Sequence, residues 1–319
     1  MWFLKSTNIY GDPIYVPKTA AKEEENIIKE QLKKSILQIK HVIDKIGDKS
    51  NMLEPEIIKL KENFKNLIDQ NLDESVYQNF LEKHTQFIPT RTFELNHGVH
   101  CGIIFKKLHI GTQYISDFFF ITKSSAEWRL VFIELEKPNS KFFNKDETIT
   151  TDLNKGIKQV NQWRTYLNEP NNLASFINQP AVNKLLSTHP CFVNNPKNCY
   201  YILVTGRRDD IKNRNLLSQY THHNFYIMTY DSLYEAISFS SEYYLGSEKG
   251  QNIIVKNEHM IEHNTTLFVY PANCDNIRIN QNLYDELVKY CGDKTEGFLA
   301  KLGDNTGEKL QQLKGNIIR

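Results

Sequence analysis

The chain has 319 residues, of which 40% are hydrophobic and 24% are charged, and this globular composition excludes an intrinsically disordered protein. Lysine and arginine together number 39 and aspartate and glutamate 38, so the formal net charge is only +1. The balance excludes a strongly basic surface overall, and a nucleic-acid partner would therefore need a local basic patch.

The cysteines and the N-terminal segment argue against a secreted, disulfide-rich or membrane protein. The five cysteines are scattered and form no Cys-x-x-Cys pair, which argues against a disulfide framework and against a thiolate zinc site. The first residues, MWFLKSTNIYGDP, lack the apolar core of a signal peptide, and no uninterrupted apolar run approaches the length of a membrane span. The sequence therefore predicts a cytoplasmic protein without a membrane partner.

Residues 1–72 are predicted to form an N-terminal arm and a helical region. Residues 1–20 show no clear period and are expected to be irregular. Apolar residues then recur at steps of three and four over residues 21–47, and a second amphipathic helix is predicted over residues 54–70, with Pro55 in its first turn. Two helices with one apolar face each indicate either a homo-oligomerisation element or a small helical domain packed on the rest of the chain.

Residues 73–244 are predicted to form an α/β domain. Asp73 is a suitable N-cap for a helix over residues 74–88. Three segments rich in β-branched and aromatic residues follow, and short turns separate them: GIIFKKLHI, YISDFFFIT and WRLVFIELE. They are predicted to form a three-stranded meander that ends before Pro138, because proline cannot donate to a strand ladder.

Helices and strands alternate after the meander. A helix is predicted over residues 151–167 with Thr151 as its cap, then a buried strand over residues 200–206 and a helix, a strand and a helix over residues 215–239. Residues 245–319 carry a predicted strand at TLFVYPAN and helical pieces at NLYDELVKY and GFLAKL. This C-terminal extension is either a third small domain or a segment that wraps around the others.

Acidic residues interrupt the apolar pattern of two predicted strands. Asp117 lies in the second strand, and Glu134 and Glu136 lie on one face of the third, because side chains alternate along a strand. If the two strands pair through their turn, Asp117 lies beside Glu134. Clustered carboxylates repel one another unless a cation holds them together, and oxygen ligands favour Mg²⁺ or Mn²⁺, which activate water toward phosphodiesters. The alternative is a set of solvated carboxylates or lysine partners.

Polar residues that follow the third strand would complete a nucleic-acid site. Gln159 shares one side of its predicted helix with Lys155 and either orients a water or phosphate at the carboxylates or lies on the surface. Three arginines follow the last predicted core strand and are candidate phosphate ligands: Arg207, Arg208 and Arg214. A solvated basic turn is the alternative reading of these arginines.

These features resemble the PD-(D/E)xK nuclease superfamily, whose core has a helix, a three-strand meander, a helix and a strand, with Asp on one strand, Glu-x-(Glu or Lys) on the next and Gln on the helix. More narrowly, SDFFFI, FIELEKPNSKFF, DLNKGIKQVNQWRTYL, YILVTGRRDD and IMTYDSL resemble the nuclease domain of the Shedu family of anti-phage defence proteins, over about residues 74–240. The resemblance implies a Mg²⁺- or Mn²⁺-dependent DNA endonuclease that forms a dimer or tetramer and uses no small-molecule cofactor.

The resemblance also implies a role for each residue that matches the motif. It implies metal ligation by two strand carboxylates, with a third carboxylate from the first helix: Asp117, Glu134 and Glu82. Gln159 is the helix glutamine, and Glu136 occupies the position of the superfamily's lysine. By strict alternation Lys137 faces the other side of the strand, so either a bulge turns Lys137 inward or Glu136 itself acts as a ligand or base.

Two other functions compete with the nuclease. The missing lysine favours a catalytically inactive protein that keeps the nuclease fold as a DNA-binding module or scaffold. HMIEH, at residues 259–263, has the His-x-x-Glu-His spacing of a zinc peptidase helix, although a strand-like segment follows at once. Metal analysis separates the peptidase from the other two, and DNA cleavage with Mg²⁺ or with a chelator separates the nuclease from the inactive module.

Overall fold

The computed structural model describes residues 2–7, 13–17, 56–188, 193–221, 224–237, 242–261, 266–292 and 306–318. The chain falls into two units, Met1–Leu60 and Lys61–Arg319. In the first unit, strands β1 (Trp2–Thr7) and β2 (Pro13–Pro17) pair antiparallel. The expectation of an irregular arm is therefore wrong: the two prolines lie at the ends of β2, where a two-stranded ribbon needs no donor from them. The helix predicted over residues 21–47 lies outside the described residues.

The described part of the second unit is built on one mixed sheet. Its strands are β3 (Val99–Ile110), β4 (Tyr114–Lys123), β5 (Trp128–Leu135), β6 (Lys197–Val204), β7 (Phe225–Met228), β8 (Tyr244–Lys249), β9 (Asn252–Val255) and β10 (Ile277–Arg278). Their order across the sheet is β10-β9-β8-β3-β4-β5-β6-β7. The predicted meander of β3, β4 and β5 is confirmed as antiparallel, and β6 and β7 continue from β5 in parallel.

The helices are α1 (residues 56–68), α2 (Glu74–Lys83), α3 (Thr151–Asn168), α4 (Pro170–Ile177), α5 (Pro180–Leu186), α6 (Arg214–Ser218), α7 (Tyr230–Ala236), α8 (Thr266–Val269), α9 (Gln281–Gly292) and α10 (Thr306–Gly315). The fold is thus mixed α/β. Helices α3, α4 and α5 share one hydrophobic core with alternate residues of β4 and β5, such as Phe119 and Phe132. Helices α1, α2 and α7 contribute a second buried aromatic group, in which Phe64 and Tyr77 both pack against Tyr230.

The structure differs from the sequence predictions at the N-cap of α3 and at residues 266–269. Helix α3 begins as predicted, but its cap is Thr150, whose Oγ1 accepts a hydrogen bond from the Leu153 N–H at 3.3 Å. The strand predicted at TLFVYPAN is wrong, because residues 266–269 form the single-turn helix α8. The adjacent Leu267 and Phe268 are both completely buried there, and this burial overrides their preference for a strand.

Residues 244–278 add three strands to the side of β3 that β4 leaves free. Strand β8 pairs with β3 in parallel, β9 returns antiparallel to β8, and β10 pairs with β9. Helix α9 is confirmed at NLYDELVKY, whereas GFLAKL lies outside the described residues. Within the described ranges, no helix combines the length and the apolar character needed to cross a membrane.

Candidate active site

Asp117, Glu134 and Glu136 come together at the carboxyl end of β5. The register of β4 against β5 places Asp117 opposite Glu134, and Asp117 Oδ2 accepts a hydrogen bond from the Leu135 N–H at 2.7 Å. The three residues are only 4%, 6% and 5% exposed, which is unusual for carboxylates. The sheet thus brings together the three acidic residues that the sequence places on adjacent strands. We refer to them as the carboxylate cluster.

Helix α3 places polar side chains directly against the carboxylate cluster. Gln159 Nε2 donates a hydrogen bond to Glu134 Oε1, and Lys155 Nζ lies 3.2 Å from Glu136 Oε1. Gly156 lies between these two contacts, and a Cβ atom there would come within 2.8 Å of Leu203 Cδ1 on β6. The absence of a side chain at Gly156 therefore lets α3 approach the sheet closely enough for its polar face to meet the carboxylates.

Glu134 is the electrostatically strained member of the cluster. Burial raises its pKa well above the ordinary value, and the neighbouring Asp117 and Glu136 raise it further. Gln159 occupies Oε1, while Oε2 has no hydrogen-bond partner in the part of the chain that the structure describes. Burial also raises the pKa of Glu136, and Lys155 opposes that increase. A buried, unpartnered carboxylate oxygen beside two further carboxylates is an environment that favours a bound cation.

A fourth carboxylate near the cluster, Glu74, is missed by the sequence reading. Glu74 lies in the first turn of α2, and its pKa is raised by burial and then by Asp117. It in turn raises the pKa of Glu134. Glu74 and Glu82 share one helical face, so periodicity predicts that both point the same way but not which end of α2 meets the carboxylates.

Glu82 does not join the carboxylate cluster. It forms an ion pair with Lys106 Nζ, and Gln78 Nε2 donates to its Oε1 at 3.1 Å. Glu82 lies eight residues beyond Glu74, a rise of about 12 Å along α2. Glu74, at the other end of the helix, is instead the α2 carboxylate whose charge acts on Glu134.

Lysine side chains pair with two of the three acids in the carboxylate cluster. Lys107 Nζ pairs with Asp117 Oδ1, while Lys137 Nζ lies 3.5 Å from Asp73 Oδ1 at the surface. Among the described residues, no three His, Cys, Asp or Glu side chains are preassembled as a metal cage. Each acid of the carboxylate cluster is instead engaged by a lysine or by Gln159.

The three predicted phosphate-binding arginines lie after β6. Arg207 donates to Asp231 and to Asp69, and Arg208 makes a bidentate pair with Glu235. Arg214 is the first residue of α6. Carboxylates therefore satisfy the first two guanidinium groups, and phosphate binding by this group stays a prediction.

The described part of the His-x-x-Glu-His segment does not form the helix that a zinc peptidase needs. Residues 258–261 are not helical, and His259 Nδ1 lies 3.2 Å from Glu286 Oε1 on α9. Glu262 and His263 lie outside the described residues. Nothing described supports two histidines on one helical face.

Comparison with known protein families gives one match. A family model described as Shedu protein SduA, C-terminal, matches residues 71–234, slightly more than half of the chain. The matched segment runs from just before α2 into α7 and contains all members of the carboxylate cluster, together with Glu74 and Gln159. No curated protein matches the chain.

Proposed function

The chain belongs to the Shedu SduA C-terminal family, and from this membership we propose that it acts in anti-phage defence as a metal-dependent DNA endonuclease. The single observation that carries the enzymatic part is the carboxylate cluster, buried on β4 and β5 and contacted by the glutamine of α3. Buried acids are costly to a fold, and a site that keeps three of them together is a candidate for function.

The residues present fit a divalent cation such as Mg²⁺ or Mn²⁺. Asp117 and Glu134 would hold it, since Glu134 Oε2 is buried without a partner among the described residues. Glu74 is a further carboxylate whose charge acts on Glu134. When bound, such an ion polarises a phosphodiester oxygen and lowers the pKa of a bound water. All of these ligands are oxygen atoms, which the hard cations Mg²⁺ and Mn²⁺ prefer.

Glu136 and Gln159 then act as the proton acceptor and the positioning residue for hydrolysis. Hydrolysis forms a bond between a water oxygen and phosphorus and breaks the bond from phosphorus to a sugar oxygen, which takes a proton from solvent water as it leaves. Glu136 accepts the proton that the attacking water loses, and its raised pKa makes it a better base near neutral pH. Gln159 fixes Glu134 through Oε1, so that the other oxygen stays directed to the reaction.

Local positive charge supports DNA as the substrate. The side chains of Lys107 and Lys155 are 49% and 65% exposed although each pairs with a buried carboxylate. Both side chains therefore extend from the buried carboxylates to solvent, where their positive charge would attract a phosphate backbone despite the near-neutral net charge.

A non-catalytic DNA-binding or scaffold protein with the same fold is the second candidate. Two observations favour it: a glutamate stands at position 136 in place of the superfamily's lysine, and no metal cage is preassembled among the described residues. Such a protein would bind DNA through the same lysines without cutting it.

Cleavage of plasmid and linear DNA with Mg²⁺, Mn²⁺ or a chelator separates the two functions. We expect cleavage with metal only, and its loss in Asp117→Asn and in Glu134→Gln. The matched control is Glu248→Gln, because Glu248 on β8 is also a carboxylate whose pKa is raised by burial, outside the cluster. Wild-type protein that binds DNA without cutting it under any of these conditions establishes the inactive module instead.

The metal-free stability of Glu134→Gln gives a second measurement. The folded pKa of Glu134 is raised, so its ionisation destabilises the fold as pH rises from the unfolded value of about 4.3. We expect Glu134→Gln to melt at a higher temperature than wild type at pH 8, and at nearly the same temperature in acid. An unchanged melting temperature at pH 8 would show that Glu134 is not electrostatically strained.

A further inference from the structure

We propose that Lys107 of β3 is the residue that contacts the scissile phosphate and takes the place of the lysine missing from the third strand of the meander. This inference rests on the proposed nuclease function. Neither the motif nor the family match identifies a catalytic lysine on β3, because the motif's lysine position follows β5 and is occupied by Glu136. The assignment depends on three observations about Lys107.

The first observation is its position. Lys107 lies between the cross-strand pairs Lys106–Phe118 and Leu108–Ser116, so it stands directly across from Asp117. Its ammonium group pairs with Asp117 Oδ1. The lysine side chain is 49% exposed and that of Asp117 only 5%, so Lys107 lies between the buried carboxylates and the solvent from which a phosphate would arrive.

The second observation is the backbone of Lys107, which has a φ of 49°, in the left-handed region that non-glycine residues seldom adopt. The alternation of β3 shifts by one residue there. Before it, Ile103 and Phe105 enter the hydrophobic core, and after it Leu108 and Ile110 enter the same core. The shift keeps both halves of the strand buried while Lys107 reaches the carboxylates. Backbone strain of this kind costs free energy and clusters at active sites, ligand clamps and switch regions.

The third observation is how the other nearby lysines are engaged. Lys137 pairs with Asp73 at the surface, and Lys155 pairs with Glu136, where the two charges offset each other. Lys107 instead pairs with Asp117, the strand carboxylate directly across from it. Of these three lysines, Lys107 is thus the one whose ion-pair partner is a proposed metal ligand.

The chemistry that follows is electrostatic. As the water oxygen bonds to phosphorus, negative charge grows on the non-bridging phosphate oxygens until the sugar oxygen leaves. Lys107 donates a hydrogen bond to one of these oxygens and keeps its own proton throughout. Without DNA the same ammonium group stays on Asp117, and phosphate binding transfers it from the carboxylate to the substrate.

Lys107→Met tests the proposal against Lys106→Met, a control on the neighbouring residue whose lysine pairs with Glu82. We expect Lys107→Met to lower the single-turnover cleavage rate by about 10²–10³-fold, the usual effect of losing one such donor. Lys106→Met should cleave at nearly the wild-type rate. Lys107→Arg, which keeps the charge, should retain part of the activity.

Binding of Mn²⁺ alone, measured without DNA by electron paramagnetic resonance of the free ion, gives a readout that a merely structural role would not produce. Lys107→Met should bind Mn²⁺ at lower concentration than wild type, because no ammonium group competes with the ion for Asp117. The expected signature is therefore tighter metal binding together with slower cleavage. Weaker Mn²⁺ binding together with slower cleavage would overturn the proposal and show that Lys107 only shapes the site.

Lys107→Gly guards against misfolding, since glycine adopts the left-handed conformation without strain. It should fold at least as stably as Lys107→Met, which loses the same ion pair but keeps the backbone strain, and it should cleave as slowly. Wild-type rates in either variant, beside an inactive Asp117→Asn, would refute the role of Lys107 alone. Failure of the wild-type protein to cleave DNA would instead refute the proposed function.

Discussion

The approach of α3 to the sheet can be tested with a single methyl group, in Gly156→Ala. The added Cβ would lie 2.8 Å from Leu203 Cδ1 and 3.2 Å from Glu136 Cγ, and the first distance is shorter than real Cβ contacts. Overpacking of this kind costs about 1–3 kcal/mol. Alanine in place of glycine within a helix returns about 0.8–1 kcal/mol. We therefore expect a net loss of roughly 0–2 kcal/mol in the free energy of unfolding.

The larger effect should be on catalysis. Leu203 is completely buried and has little room to turn aside, so we expect α3 to move away from the sheet, which lengthens the 3.2 Å contact between Lys155 and Glu136 and the hydrogen bond from Gln159 to Glu134. A displacement of about 1 Å in a catalytic group commonly costs about 10²-fold in rate. Urea denaturation and single-turnover cleavage of the same preparation measure the two effects.

Gly307→Ala is the matched control, because Gly307 lies in α10 and an added Cβ there meets nothing within 4 Å. That variant should be as stable as wild type or more stable, with an unchanged rate. Leu203→Val removes the atom that Gly156→Ala would strike, so the double variant should recover part of the lost rate. Gly156→Ala protein that cleaves normally and gains stability as Gly307→Ala does would refute the role assigned to close packing.

Two further predictions concern stability and assembly. Burial opposes ionisation of Asp231, but hydrogen bonds from Arg207 and from the Arg208 N–H hold its pKa below the ordinary value. Its contribution to stability is therefore present above the unfolded pKa of about 3.9 and is lost as pH falls through the lower folded pKa. Asp231→Asn should melt at a lower temperature at pH 7 and change less in acid, and identical melting curves at both pH values would contradict this. The N-terminal helices are predicted to drive formation of a dimer or tetramer. Light scattering should therefore give a mass of two or four copies for the full chain and of fewer copies for a chain that starts at residue 54, which lacks the first predicted helix and keeps α1. A monomeric mass for both chains would exclude this role.

Much of the candidate site follows from local sequence periodicity. Alternation along a strand places Glu134 and Glu136 on one face, and helical spacing places Gln159 with Lys155. The structure brings these side chains into contact across β5 and α3. Short-range rules suffice here because the meander and the following helix are contiguous in sequence.

Other parts of the site depend on information that periodicity does not carry. The choice between Glu74 and Glu82 is set by the tilt of α2 over the sheet, which tertiary packing determines. Alternation in β3 is ambiguous at Lys107: counted from Ile103 and Phe105 it places Lys107 on the core face, and counted back from Leu108 and Ile110 it places Lys107 on the other face, because the left-handed backbone shifts the pattern there. The helix α8 forms where β-propensity predicts a strand, since burial of neighbouring residues outweighs intrinsic preference.

The pairing of β3 with β8 has a consequence for how the protein reaches its native state. Ile103 pairs with Tyr244, and more than a hundred residues separate them in sequence, whereas β3, β4 and β5 are joined by short turns. Contacts between distant residues form slowly, so the meander should assemble early and β8 should dock late. In that interval, one side of β3 would present unpaired backbone N–H and C=O groups to other chains. Strand β8 lies beyond the family-matched residues, and this edge of β3 is covered only once the C-terminal segment has docked.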